Sequence, residues 1–169
     1  MKKILLINPF GIGDVLFTTP IIHTLKDSLP GVKIGYICNR RTSAILENNP
    51  FIDFVFVYER DEFQQIRNES FINWIKKNID FLSKIRQQDF NLAIDFSLNS
   101  QYEFFSWFAG IKERVGYNYK NRSWLLTKKI KLECYSDKHI VEYYAELLKL
   151  IGLDLKYKKL FLTMELYLF

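Results

Sequence analysis

Little in this chain points to a metal centre, a disulfide framework or a membrane span. Two cysteines are present among 169 residues. Cys38 and Cys134 stand far apart, with no CxxC pair and no histidine at ligand spacing, so they read as reduced structural thiols, and no metal is expected. Histidine is equally scarce: His23 and His139 each fall on a helix, where packing or capping suits them better than catalysis. No apolar run approaches the ~20 residues needed to cross a bilayer. Met1-Lys2-Lys3 leads straight into a short apolar strand, too brief for the core of a signal peptide. These absences predict a cytoplasmic protein. Low-complexity tracts and internal repeats are also missing, which argues against disorder.

What is present is apolar and aromatic. Hydrophobic residues make up 49% of the chain, with 15 Phe and 10 Tyr. A single domain of this length buries roughly 70% of the surface of its unfolded chain, so one domain is expected. The net charge of +5 is small but uneven: between Lys112 and Lys131 there are seven Lys or Arg and one acid, Glu113. That imbalance suits an anionic partner.

The sequence alternates strand and helix patterns. Ile4-Leu5-Leu6-Ile7 is a buried strand, followed by the turn Asn8-Pro9-Phe10-Gly11-Ile12-Gly13-Asp14 and a helix running to about Leu29. Pro20 either kinks this helix or begins it after a Thr19 cap. Lys33 to Cys38 and Asp53 to Tyr58 read as the second and third strands, with a short helix from Thr42 to Glu47 between them. Ile72, Ile75, Ile79 and Leu82 predict the sheet-facing side of one long helix spanning about 62–88. Asn91 to Phe96 is a fourth strand, Ser100 to Ala109 an aromatic helix stopped by Gly110, Arg114 to Tyr117 and Lys128 to Leu132 two more strands, and His139 to Ile151 a last helix. This is the α/β pattern of a Rossmann-like parallel sheet flanked by helices. We divide the chain into a domain over 1–155 and an extended, apolar end over 156–169, which is either an edge strand or the start of an interdomain linker.

Parallel sheets bind ligands at the carboxyl ends of their strands, and the residues there are the candidate site. Gly11 and Gly13 would let the backbone approach a ligand, and Asp14 is either a helix N-terminal residue or a proton acceptor for a substrate hydroxyl. Arg40 and Arg41 follow the second strand, Arg60 the third, and Lys120 and Arg122 the fifth, so a basic bowl is expected at that edge, suited to phosphate or carboxylate groups. Asp95 closes the fourth strand, and Ser97, Asn99, Ser100 and Gln101 offer hydroxyl and amide groups to a sugar, or simply form loops and caps. Tyr102, Phe104, Phe105, Trp107 and Phe108 read as a helix buried on the sheet rather than a nucleic-acid platform, and no nucleic-acid partner is expected.

Gly11-Ile12-Gly13-Asp14-Val15-Leu16-Phe17-Thr18-Thr19-Pro20 followed by Leu25-Lys26 resembles the opening of glycosyltransferase family nine, the heptosyltransferases of lipopolysaccharide core synthesis. The resemblance continues in order through Asn49-Pro50 with Ile52-Asp53, Asp89-x-x-Leu92-Ala93-Ile94-Asp95, Ala109-Gly110, Arg114-Val115-Gly116-Tyr117, and His139-x-Val141-Glu142 running to Leu150-Ile151-Gly152. It implies a two-domain type-B glycosyltransferase of which this chain matches only the amino-terminal, acceptor-binding half. It further implies that Asp14 is the general base of an inverting, metal-independent transfer of heptose from ADP-heptose. Gly11, Gly13, Thr18, Arg40, Arg41, Arg60, Ser97, Gln101, Lys120 and Arg122 are the candidate substrate contacts. The implied partners are an anionic glycolipid acceptor, phosphorylated or Kdo-bearing, a nucleotide-sugar donor and a separate donor-binding domain. Membrane contact is at most peripheral, at the inner face of the cytoplasmic membrane, and no cofactor is expected.

The chain departs from the family where Gln-Gly and a following Arg usually stand after the fourth strand's Asp. Here the matching positions are Ser97, Leu98 and Gln101, so a cation is lost. With the donor half unmatched, the 169-residue chain alone is expected to be inactive or nearly so. Two other readings stand beside this one: a non-catalytic module that binds a phosphate or sugar at the glycine turn, and an interaction protein that docks through the apolar tail from Leu160 to Phe169.

Overall fold

The computed structural model describes residues 2–135, 138–157 and 159–160. Most of the apolar tail, 161–169, lies outside them, so its reading as a linker, an edge strand or a docking segment falls beyond the described residues. Six strands, β1 (Lys3–Ile7), β2 (Lys33–Cys38), β3 (Phe54–Val57), β4 (Leu92–Asp95), β5 (Glu113–Tyr119) and β6 (Lys128–Leu132), form one sheet in the order β3-β2-β1-β4-β5-β6. Every pairing is parallel. Parallel strands need crossovers, and seven helices appear among the described residues: α1 (Ile12–Phe17), α2 (Thr19–Ser28), α3 (Arg40–Glu47), α4 (Arg60–Glu69), α5 (Phe71–Arg86), α6 (Ser100–Phe108) and α7 (Ile140–Lys149).

The central strand shows why the sheet sits between two helical layers. Alternation along β1 sends Ile4 and Leu6 into one core with residues of α2 and α7, and Leu5 and Ile7 into a second core with residues of α5 and α6. Both faces are covered, so the strand reads as continuously apolar. The chain reverses its order between β1 and β4, which are neighbours in the sheet. Ile7 pairs with Ile37 on one side and Asp95 on the other, so the residues after β1 emerge at this switch point.

Two helices expected to be continuous are broken. Thr18 lies between α1 and α2, and its hydroxyl donates to the Val15 carbonyl at 2.7 Å. Pro20 then falls in the first turn of α2, where a missing N–H costs nothing. Ser70 separates α4 from α5, accepting from the Asn73 N–H at 3.3 Å as an N-cap. The break goes with a change of face: α5 buries Phe81, Leu82 and Ile85, while Ile72, Ile75 and Ile79 are exposed. A spacing of three and four residues fits either of two adjacent arcs of this helix, and the aromatic cluster of Tyr58, Phe63 and Phe105 around Phe81 decides which one meets the sheet. α6 is likewise only half buried: Tyr102 and Phe105 face inward, while Phe104, Trp107 and Phe108 face out. Gly110 ends it at φ 81°, as its place after the aromatic run predicts.

Candidate functional site

The turn after β1 is held by asparagines. Asn8 is fully buried; its Nδ2 donates to the Asp14 carbonyl at 3.2 Å and to the Tyr144 hydroxyl at 3.4 Å, while its Oδ1 accepts from the Phe10 N–H at 3.1 Å. From the next strand end, Asn39 Nδ2 donates to the carbonyls of Pro9 at 3.0 Å and Phe10 at 2.7 Å, and its Oδ1 caps α3 through the Thr42 N–H at 3.1 Å. Sequence reasoning placed both asparagines in turns but gave neither a role at the site. Asn39 was findable as an N-cap three residues before Thr42; the link from Asn8 to Tyr144 spans the chain and leaves no local signal.

Asp14 sits in the first turn of α1, half-buried. Gly11 is the N-cap of that helix and no side chain caps it, so Asp14 is not a cap. Among the described residues its carboxylate forms no hydrogen bond or ion pair. Its negative charge is felt by Tyr36, Tyr135 and Tyr144: burial, reinforced by this charge, pushes all three phenols above their ordinary range. Asp14 is thus a carboxylate that no described residue engages by a hydrogen bond or an ion pair.

The glycines act by omission of a side chain rather than by unusual dihedrals. Gly11 has φ −75°, and neither it nor Gly13 belongs to the positive-φ set. A Cβ at Gly13 would meet nothing within 4 Å, and one at Gly11 only Asp14 Oδ2 at 3.9 Å. The space over the turn is open. Gly13→Ala should therefore leave stability unchanged or raise it by up to about 1 kcal/mol, as Ala is the better helix residue. The same change should weaken any ligand that approaches the turn, to be read as a thermal melt set against a binding isotherm.

Beside the turn, Pro9, Phe10, Gly11, Ile12, Asn39 and Arg41 border a cavity of about 370 Å³. A second, of about 240 Å³, continues along the edge and brings Arg41 and Arg60 together with Tyr58, Ser97 and Tyr102. The expected basic bowl is only partly formed. Glu59 and Asp61 line the same cavity, making it mixed in charge. Arg40 belongs to the first turn of α3 and pairs with Glu62, in a different cavity formed with α5. Lys120 and Arg122 line neither of the two cavities beside the turn; Lys120 lies over the ring of Tyr119 at 5.0 Å. Gln101 is engaged in holding Tyr58, its Nε2 donating to the phenol at 2.5 Å. Thr18 lies beneath the site: it is fully buried and its hydroxyl is 2.8 Å from that of Tyr36. The histidines serve structure. His139 Nδ1 accepts from the Val141 N–H at 3.3 Å to cap α7, and His23 packs on Phe51 with ring centroids 4.4 Å apart.

Asp95 ends β4 at the switch point, almost completely buried. Its Oδ1 accepts from the Ser97 N–H at 2.7 Å, and its Oδ2 has no hydrogen-bond partner. Burial pushes its carboxyl up to about 7, the charge of Glu103 adding to the rise and the hydrogen bonds of Ser97 opposing it. Another cavity, of about 720 Å³, lies between β6 and α7, lined by Tyr117, Cys134, Lys138 and Glu146. Its polar groups are largely satisfied by one another: the Tyr117 hydroxyl donates to Glu146 at 2.9 Å and Lys138 pairs with the same carboxylate at 2.6 Å. Among the described residues, no group of three His, Cys, Asp or Glu is placed to hold a metal ion, and no helix is long and apolar enough to cross a membrane.

Comparison with known proteins gives similarities of sequence and of fold. No family model matches the chain. It is 28% identical over 85 residues to lipopolysaccharide heptosyltransferase 3 of Escherichia coli, covering 50% of this chain and 23% of that protein. It is 28% identical over 119 residues to a candidate glycosyltransferase of Haemophilus influenzae, covering 68% and 30%. The fold is similar to that of E. coli heptosyltransferase WaaC, solved with ADP-2-deoxy-2-fluoro heptose, with a TM-score of 0.77 at 15% identity over 93% of this chain and 50% of that one. A family 9 glycosyltransferase from Veillonella parvula gives a TM-score of 0.70 at 19% identity over 96% and 45%. The chain spans about half the length of these solved structures and less than a third of the curated relatives. Six parallel strands in this order, the glycine turn with its aspartate and these similarities together make the chain family-nine-like, a counterpart to about half of such a glycosyltransferase.

Proposed function

We propose that the chain is the acceptor-binding half of a heptosyltransferase-like glycosyltransferase, with Asp14 as its general base. The observation that carries this reading is the Asp14 carboxylate, placed at the carboxyl edge of β1 beside an open turn and, among the described residues, without a hydrogen-bond partner. In the proposed step Asp14 takes the proton of an acceptor hydroxyl. The hydroxyl oxygen then attacks the anomeric carbon of a nucleotide-activated sugar from the face opposite the leaving group, and the nucleoside diphosphate departs with the bonding pair, inverting the centre. The donor, ADP-heptose or a related nucleotide sugar, would be held by a donor-binding half, and without one transfer by residues 1–169 should be undetectable.

Arg41 and Arg60 are the cations we assign to the acceptor's anionic groups, because they line the cavities along this edge. Arg41→Ala or Arg60→Ala should weaken binding of a phosphorylated or Kdo-bearing acceptor by about tenfold, the scale of one charge-assisted hydrogen bond. Arg40→Ala should leave binding unchanged and cost at most about 1 kcal/mol, as expected for an exposed ion pair. Calorimetric titration of the three variants checks both. The test of function is ADP release from ADP-heptose in the presence of a donor-binding half and acceptor: dependence on acceptor and on Asp14 supports the transferase. Acceptor binding with no transfer under any pairing supports the non-catalytic binding module instead.

A further inference from the structure

The helical layer over the α5 and α6 face of the sheet is left with an uncovered apolar surface. On α5, Phe71, Ile72 and Ile79 are 58%, 65% and 52% exposed, and Ile75 lies with them. At 100° per residue these four fall within one arc of about 100°; Leu82 shares that arc but is buried, in the second half of the helix. The neighbouring α6 presents Trp107, 50% exposed, with Phe104 and Phe108. The two helices pack directly, Phe81 against Phe105 with centroids 5.6 Å apart. Exposed apolar residues on a folded domain are ordinarily scattered singly, and a contiguous set marks a contact surface.

The charges around this surface select its partner. α5 carries Lys76, Lys77, Lys84 and Arg86; Lys84 pairs with Asp80 at 2.7 Å and Lys77 with Glu62 of α4 at 3.4 Å, on the side away from the apolar arc, so Lys76 and Arg86 form the cationic flank. Among the described residues Lys76 and Arg86 form no ion pair. A second copy of the chain would set this basic helix against itself across a two-fold axis. An apolar and aromatic face with a cationic flank matches the boundary of an anionic bilayer, where rings sit at headgroup level and lysines meet lipid phosphates. We propose that the α5 and α6 face docks the protein on an anionic lipid surface. The Phe71 end of α5 lies toward the carboxyl edge of the sheet, since the helix leads back to the amino end of β4, while α1, which carries Asp14, packs in the core on the other face. The docking is independent of the transferase reading, because lipid binding requires neither donor nor acceptor.

The test is cosedimentation of the purified chain with vesicles of phosphatidylcholine alone or containing phosphatidylglycerol, with tryptophan emission followed in parallel. Binding to the anionic vesicles should exceed that to the neutral ones by about tenfold, blue-shift the emission and fall as salt is raised. The double variant Ile72→Ser, Ile79→Ser should lose about tenfold in partition with little change in melting temperature, since both side chains are more than half exposed. Lys76→Glu with Arg86→Glu should abolish the preference for anionic vesicles. Absence of binding, equal binding to both vesicles, or partition indifferent to these variants would overturn the proposal. So would a dimer, seen by light scattering, that the serine variant dissociates.

Discussion

Asp14→Ala should lower kcat for acceptor-dependent sugar transfer by about a thousandfold in the assembled enzyme, within the range a positioned general base contributes. Acceptor KM and melting temperature should change little. The expectation follows from what the carboxylate does not do. It caps no helix, and among the described residues it accepts no hydrogen bond and joins no ion pair. Removing it therefore forfeits only the interaction of one first-turn charge with a short helix, about 0.5 kcal/mol. Asp14→Asn keeps the shape and loses the basicity, so it should be as inactive as the alanine variant. A loss confined to KM would make Asp14 a binding residue, and a large fall in melting temperature would make it a structural one. Kinetics at saturating acceptor, together with a thermal melt, separate the three.

Asp95→Asn should stabilise the protein, and only at neutral pH and above. A carboxyl pushed up to about 7 by burial remains protonated in the folded chain while its unfolded counterpart ionises near pH 4. Below about pH 4 both states hold the proton and the group makes no difference. As pH rises from there to about 7, only the unfolded state gives up its proton, and stability is progressively lost. Above about 7 the penalty is complete, on the order of 4 kcal/mol before the cost of the replacement is counted. Asparagine keeps the oxygen that accepts from the Ser97 N–H and replaces the unpartnered oxygen with an amide nitrogen, whose burial returns about 1–3 kcal/mol. A net gain of about 2 kcal/mol at pH 8, or roughly 4–8 °C in melting temperature, should turn into a loss of about 2 kcal/mol at pH 4, where only the amide's burial cost remains. Melting curves at the two pH values check it, and equal shifts at both would contradict it. A buried acid this costly, placed at the switch point of the sheet, is the kind of feature a working site retains at the expense of stability.

These two carboxylates also mark what the amino-acid sequence makes legible. The strand runs, their β-branched content and the helices between them determine a parallel sheet, and all six strands lie where the pattern puts them to within a few residues. Asp14 is visible as an acid just after the glycine turn, but the sequence leaves its role open, because the first turn of a helix favours an acid for structural reasons as well. The burial of Asp95 is not, because it depends on Ser97, Glu103 and the packing of α6 rather than on neighbours in the chain. The basic bowl fails at Arg40 for a local reason: Asn39 starts α3 at Arg40, and Arg40 turns out to Glu62. It fails as a wholly basic site because Glu59 and Asp61 alternate with the arginines that do line it. The breaks at Thr18 and Ser70 are set by single hydroxyl side chains within otherwise continuous helical patterns, a signal weaker than the hydrophobic period around them.

The central claim is that an anionic acceptor binds at the carboxyl edge of β1, next to Asp14. Amide NMR of the chain titrated with a soluble phosphorylated Kdo-containing sugar tests it most directly. The predicted result is a saturable set of shifts at Phe10, Gly11, Gly13, Arg41, Arg60 and Ser97, diminished in Arg41→Ala. Shifts gathered instead on Tyr117, Lys138 and Glu146, in the groove between β6 and α7, would contradict it.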